Sequence, residues 1–159
     1  MKKKLIITLG TIFAVVFATL GYGFASGAFN SVDKTPSEYK IGIPYRQALQ
    51  SDKPAIVLFY TDWCGYCKRF MPKFKILSKL YKDNYNLVML NAEAQENLAL
   101  TDEVAVTGLP TVFIFDPKYD NRVHLSNGIY MDLKKMRGEL DRYLKIRQLL
   151  DASESCSAN

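Results

Sequence analysis

The chain has 159 residues, 48% of them hydrophobic, which is enough apolar material for one domain with a core of its own rather than a miniature held by disulfides. Its formal charge of +5 includes Lys2, Lys3 and Lys4, and without them 18 basic side chains face 16 acidic ones, a balance that excludes the basic pattern of a nucleic-acid binder. The one basic cluster further on, Lys134, Lys135 and Arg137, is interleaved with Asp132, Glu139 and Asp141 and reads as a solvated helix face.

In chain order, the first element is MKKKLIITLGTIFAVVFATLGYGFA, three lysines followed by an apolar run over residues 5–25. It reads as an export signal, either a signal peptide with small residues at cleavage spacing (Gly23/Ala25 or Ser26/Ala28) or a retained transmembrane anchor. In both cases the lysines favour a cytoplasmic N-terminus, which places everything after residue 25 on the extracytoplasmic side, in the periplasm or on the outer face of the membrane. No lipidation cysteine follows the run. Residues 26–42 are expected to be a linker; the stretch SGAFNSVDKTPSEY has no periodicity and reaches at most about 45 Å.

A single domain is expected over residues 43–150. Residues 44–50 suggest a short helix, and AIVLFY at 55–60 a buried strand. Phe70, Phe74, Leu77 and Tyr81 form one stripe of a helix over 65–82, with Pro72 inside it as an expected kink. LVML at 87–90 reads as a second strand and 94–104 as a helix. TVFIF at 111–115 and RVHLS at 122–126 form a strand pair joined by the turn-rich DPKYDN. Leu133, Met136, Leu140 and Leu144 mark a last helix ending near residue 150. This βαβαββα order predicts an α/β fold, a mixed central sheet with helices on both faces. The polar tail DASESCSAN, 151–159, is expected to be disordered.

The chemistry resides in TDWCGYCKRF at 61–70. A zinc site needs about four Cys or His ligands, and beyond Cys64 and Cys67 the chain offers only His124 on a predicted strand and Cys156 in the tail. His124 reads as a packed or surface histidine and Cys156 as incidental, so no metal site is expected. A purely structural disulfide is a poor reading, because closing so short a loop removes little chain entropy. A reactive dithiol fits better: Cys64 falls between a strand end and a helix start, where unpaired N–H groups and the helix dipole stabilise a thiolate. Lys68 and Arg69 add positive potential. Cys67, one turn in, is expected to be more buried, so Cys64 attacks a disulfide and Cys67 resolves the mixed disulfide.

At this point the sequence resembles the thioredoxin family, over roughly residues 43–148. WCGYCK at 63–68 matches the family's W-C-x-x-C-K site, VTGLPT at 106–111 its V-x-G-x-P-T loop, and Gly128 a glycine before the last helix. The resemblance implies a thioredoxin fold with a cis Leu109–Pro110 bond facing the cysteines, and a substrate-binding surface of Trp63, Gly65, Tyr66, Leu109 and Pro110. It implies no cofactor beyond the dithiol. Two departures stand out: Leu58 occupies the place of a buried aspartate and Met89 that of its neighbouring lysine, which leaves Glu93 as the nearest candidate to carry the proton of Cys67. Tyr66 stands where thioredoxins have proline, giving a CGYC that also occurs in periplasmic disulfide isomerases.

The expectation is therefore an exported, tethered or secreted oxidoreductase of protein disulfides, monomeric, that acts as a reductase and draws electrons from a transmembrane thiol carrier, as in tethered thioredoxin-like proteins serving cytochrome c maturation. An isomerase or oxidase is the alternative within the class. A copper(I)-binding adaptor using Cys64 and Cys67 as soft ligands is the alternative outside it.

Overall fold

The computed structural model describes residues 34–157; the apolar run at 5–25, with its reading as a signal or anchor, lies outside the described residues. Among the described residues no helix is long and apolar enough to cross a membrane. The elements are a 3-10 turn Pro36–Tyr39, α1 (Tyr45–Leu49), β1 (Ala55–Tyr60), α2 (Gly65–Leu80), β2 (Asn86–Asn91), a 3-10 turn Gln95–Asn97 leading into α3 (Leu98–Glu103), β3 (Thr111–Asp116), a 3-10 turn Pro117–Tyr119, β4 (Asn121–Leu125), α4 (Asn127–Tyr130) and α5 (Leu133–Ser157).

β1 is the middle of a mixed four-stranded sheet in the order β2-β1-β3-β4. It pairs parallel with β2 (Val57 opposite Val88) and antiparallel with β3 (Val57 opposite Phe113), and β3 pairs antiparallel with β4. The parallel pair requires a long crossover, which α2 supplies; the antiparallel β3–β4 pair needs only the short turn at 117–119. AIVLFY is apolar at every position because both faces of β1 are covered. On one face Ile56, Leu58, Val112 and Ile114 pack against Phe70, Phe74 and Leu77 of α2 and Met136 and Leu140 of α5. On the other, Val57, Phe59, Val88 and Phe113 pack with Ala48 of α1 and Leu100 of α3. Helices thus cover both faces, and the sheet holds the C-terminal end of β1 rigidly beside the start of α2.

Three expectations are corrected. Of the segment expected to be linker, 26–42, residues 35–42 already belong to the compact unit Thr35–Asn159. Ser37 donates its N–H and hydroxyl to the Asp62 carboxylate at 2.9 and 2.8 Å, and Ile43 N–H donates to the Leu87 carbonyl at 2.8 Å, alongside β2. Second, the helix expected at 94–104 is divided into a 3-10 turn and the six-residue α3. α3 ends where Ala105 turns left-handed (φ 53°), with Val106 N–H donating back to the Thr101 carbonyl and Ala105 N–H to that of Asp102.

Third, the tail expected to be disordered is helical through Ser157. Composition alone missed two kinds of partner there. Asp151 pairs with Lys118 and accepts from the Tyr119 hydroxyl at 2.7 Å, and Glu154 pairs with Lys118 at 3.0 Å, so the β3–β4 turn holds this stretch. The Ser153 and Ser155 hydroxyls donate to the carbonyls of Leu150 and Ala152 three residues back. One turn earlier, Arg147 Nε reaches the fully buried Asp116 carboxylate at 2.9 Å, and the Tyr143 hydroxyl donates to the same oxygen at 3.2 Å. Arg147 also donates to the Asp52 carbonyl, tying α5 to the approach to β1.

At the chain's entry, Gly42 has φ +89°, and a Cβ placed there would collide with the Leu87 carbonyl that accepts from Ile43. Only glycine meets both demands. Replacing Gly42 with alanine should therefore lower the unfolding free energy by more than about 1 kcal/mol, read from the urea midpoint; an unchanged midpoint would show that the entry segment is not fixed as described.

Candidate active site

β1 ends at Tyr60, and the turn Thr61–Asp62–Trp63 delivers Cys64 to the first position before α2. Cys64 is the N-cap of the helix: its backbone is extended (φ −68°, ψ 109°) and its sulfur accepts the Cys67 N–H at 3.1 Å. Sulfur here takes the place that a serine or aspartate oxygen holds at most helix starts, satisfying one of the orphan N–H groups of the first turn. The Cys64 carbonyl accepts the Lys68 N–H at 3.1 Å, and its own N–H donates to Thr61 at 3.3 Å, so the residue is fixed from both sides. The first turn carries no acidic residue to oppose a negative sulfur.

Cys64 and Cys67 are joined as a disulfide, with Cα atoms 5.2 Å apart. Their environments differ in the sense expected from the sequence: Cys64 is 5% exposed, whereas Cys67 is fully buried in the cluster that holds Leu58, with Met89 packed against it. Leu58 and Met89 are cross-strand neighbours in the β1–β2 register, so the strand pair contributes hydrocarbon to that cluster. Glu93 is exposed. Among the described residues its carboxylate bonds to Trp63, whose indole N–H reaches both oxygens at 3.0 and 3.1 Å on the exposed rim.

The second wall comes from residues 106–110. Leu109–Pro110 is cis. Thr111 Oγ1 donates to the Gly108 carbonyl at 2.5 Å, and the Tyr130 hydroxyl donates to the Pro110 carbonyl at 2.6 Å. The Tyr130 ring packs edge-on against Phe70 of α2, centroids 5.4 Å apart, so one side chain fastens the loop to the helix that carries the dithiol. Burial pushes the Tyr130 phenol above its ordinary value, which keeps it a donor through the physiological range. Sequence reasoning missed Tyr130; the one available signal is that a buried tyrosine hydroxyl needs a partner.

Trp63, Cys64, Gly65, Tyr66, Val106 and Leu109 are among the residues that line one cleft of about 410 Å³. Pro110 is buried and Cys67 lies behind Cys64, so neither forms the surface itself. Trp63 and Tyr66 stand 70% and 60% exposed beside a sulfur that is nearly covered. Arg69 lies over the Tyr66 ring, 4.6 Å from its centroid, and steadies it. The arrangement offers flat apolar contacts, one sulfur at the cleft and a loop edge. His124 is exposed on β4 against Phe113 and Cys156 is an exposed free thiol on α5. Among the described residues no group of three or more His, Cys, Asp or Glu side chains could hold a metal ion.

The thioredoxin family model matches residues 39–135, more than half of the chain. The chain belongs to the thioredoxin family. Similar thioredoxin-family proteins include the chloroplastic thioredoxin-like protein HCF164 of Arabidopsis thaliana, 38% identical over 74 residues, 46% of this chain and 28% of that protein. The protein disulfide-isomerase C17H9.14c of Schizosaccharomyces pombe is 30% identical over 118 residues, 74% of this chain and 31% of that one. The chain thus spans about a third of the length of these relatives. Among solved structures, the Trx4 domain of ERdj5 superposes with a TM-score of 0.52 at 20% identity, covering 73% of this chain and 96% of that domain. Malassezia sympodialis thioredoxin gives 0.51 at 21%, covering 62% and 81%. These two likenesses establish the fold.

Replacing Tyr130 with phenylalanine would leave the Pro110 carbonyl without its donor. The thioredoxin-family scaffold should lose about 1–3 kcal/mol of stability, measured by urea unfolding of the oxidised protein. No loss would mean that Tyr130 does not hold the loop.

Proposed function

We propose that this chain is a thiol-disulfide oxidoreductase that exchanges protein disulfides through Cys64 and Cys67, outside the cytoplasm, as a reductase. The observation that carries the reading is the inequality of the two sulfurs: Cys64 caps α2 at the edge of the cleft and Cys67 is buried one turn behind it. In the reduced protein the Cys64 thiolate attacks one sulfur of a substrate disulfide. The substrate S–S bond breaks, a substrate thiolate leaves and a mixed disulfide forms on Cys64. Cys67, after losing its proton to water or to the departing sulfur, attacks Cys64; the second substrate thiolate leaves and the Cys64–Cys67 disulfide closes. Two electrons pass to the substrate, and a transmembrane thiol carrier returns two to the protein.

The backbone of Leu109 pairs with an extended substrate segment, as an added strand pairs with a sheet edge, while Trp63, Gly65 and Tyr66 seat its side chains. The lysines and apolar run at residues 2–25 support export, with residues 5–25 as the membrane contact where they are retained. A relative named chloroplastic and others named protein disulfide-isomerase agree with a non-cytosolic setting. The domain works as a monomer. The Gly65-Tyr66 dipeptide between the cysteines and the isomerase relatives favour an isomerase as the second reading.

Two measurements test these points. Cys64→Ser should abolish reduction of insulin disulfides, whereas Cys67→Ser should accumulate a mixed disulfide with the substrate; equal activity in both variants removes the role assignment. The reduction potential of the Cys64–Cys67 couple, from equilibration against dithiothreitol or glutathione, should lie near the thioredoxin value of about −270 mV. A value of about −120 to −180 mV would replace the reductase by an oxidase or isomerase.

A further inference from the structure

The helix that carries the dithiol is basic along its whole length. α2 holds Lys68, Arg69, Lys73, Lys75 and Lys79 and no Asp or Glu, although the chain beyond its N-terminus is nearly balanced. Lys68, Lys75 and Lys79 recur at intervals of seven and four residues, which puts them on one side of the helix. Lys73 is used elsewhere, donating to the Met131 carbonyl at 2.7 Å. Lys75, Lys79 and Lys82 line a shallow cleft of about 380 Å³ together with Lys40, which follows the Pro36–Tyr39 turn. All four are exposed, and among the described residues none takes part in an ion pair. The acid next in the chain, Asp83, lines a different cleft with Lys53 and Leu144.

Four unpaired cations around one cleft repel one another and call for an anionic partner. The same helix also exposes Ile76 and Leu80, at 44% and 50%, four residues apart and facing outward together. Lysines beside outward aliphatic side chains make up the composition of helices that lie at a membrane surface, where the cations meet anionic headgroups and the aliphatic groups enter the acyl boundary. Chain reach agrees: residues 26–34 join the apolar run to Thr35, a length of at most about 30 Å.

We infer that the face formed by Lys40, Lys75, Lys79 and Lys82 with Ile76 and Leu80 docks on anionic phospholipid headgroups of the membrane that holds residues 5–25. This rests on the tethered reading above. It fixes the domain against the bilayer through a surface separate from the Trp63–Leu109 cleft, so lipid and substrate occupy different faces.

The test uses the full chain reconstituted into protein-free vesicles, either of phosphatidylcholine alone or of equimolar phosphatidylglycerol and phosphatidylcholine. Lysines are acylated briefly with a water-soluble ester and counted by mass spectrometry, with Lys135 and Lys145 of α5 as references. Labelling of Lys75, Lys79 and Lys82 should fall about fivefold in the anionic vesicles and recover in about 1 M salt, where the screening length is about 3 Å. The Lys75→Gln/Lys79→Gln/Lys82→Gln variant should lose the protection of Lys40 as well. Equal labelling in the two vesicle types, or protection that salt leaves unchanged, overturns the inference. Protection found only in native membranes also overturns it, and points to an acidic protein instead. Flotation in about 1 M salt tests the tether separately: a chain that leaves the vesicles in salt, yet is protected in anionic vesicles without it, ends the tethered reading and keeps the lipid contact.

Discussion

The bond from the Cys67 N–H to the Cys64 sulfur is the constraint on which the site depends. It exists only because α2 begins directly after Cys64, and α2 begins there because β1 ends at Tyr60 and a three-residue turn reverses the chain. A sulfur in that position experiences the unpaired N–H groups of the first turn and the positive end of the helix dipole, both of which favour its ionised form. One turn on, the same helix carries Cys67 into the apolar layer between α2 and the sheet, where the neutral thiol is favoured. Two chemically identical side chains, three residues apart, thereby sit in different environments.

Four sets of contacts fix the position of that helix start. The sheet pins the end of β1 from both sides, through β2 and β3. Phe70, Phe74 and Leu77 hold α2 onto the sheet. From the front, Ser37 holds the Asp62 carboxylate just before Trp63. From the side, Tyr130 joins the 106–110 loop to α2 through one hydrogen bond and one ring contact. Leu58 and Met89 are cross-strand neighbours in the cluster that holds Cys67, at positions where a charged pair could sit. The proton of Cys67 therefore has no buried carboxylate to receive it at those positions.

Much of this was legible in the sequence because it is local or periodic. AIVLFY is a continuous apolar run, the signature of a strand covered on both faces, and the stripe Phe70, Phe74, Leu77 and Tyr81 follows helical spacing. The place of Cys64 between them followed from element order alone. The cis Leu109–Pro110 bond was legible only through the likeness of VTGLPT to a family loop, since nothing in the residues themselves selects the isomer. What stayed hidden are pairings between distant, non-periodic residues: Tyr130 with Pro110, 20 apart; Ser37 with Asp62, 25 apart; Trp63 with Glu93, 30 apart. The helical tail was misread for the same reason. Its polar composition resembles disorder, and the order comes from Lys118 and Tyr119 on a turn more than thirty residues earlier.

The central claim is that the helix start makes Cys64, and not Cys67, the ionised and reachable thiol of the reduced protein. Its most direct test is the pH dependence of iodoacetamide alkylation of the reduced chain, with each cysteine followed by mass spectrometry. Cys64 should react first and reach half its maximal rate well below the free-cysteine value of about 8.5, while Cys67 should stay unmodified until the fold is opened by urea. Alkylation of Cys67 at a comparable rate, or a Cys64 profile centred at the free-thiol value, would contradict it.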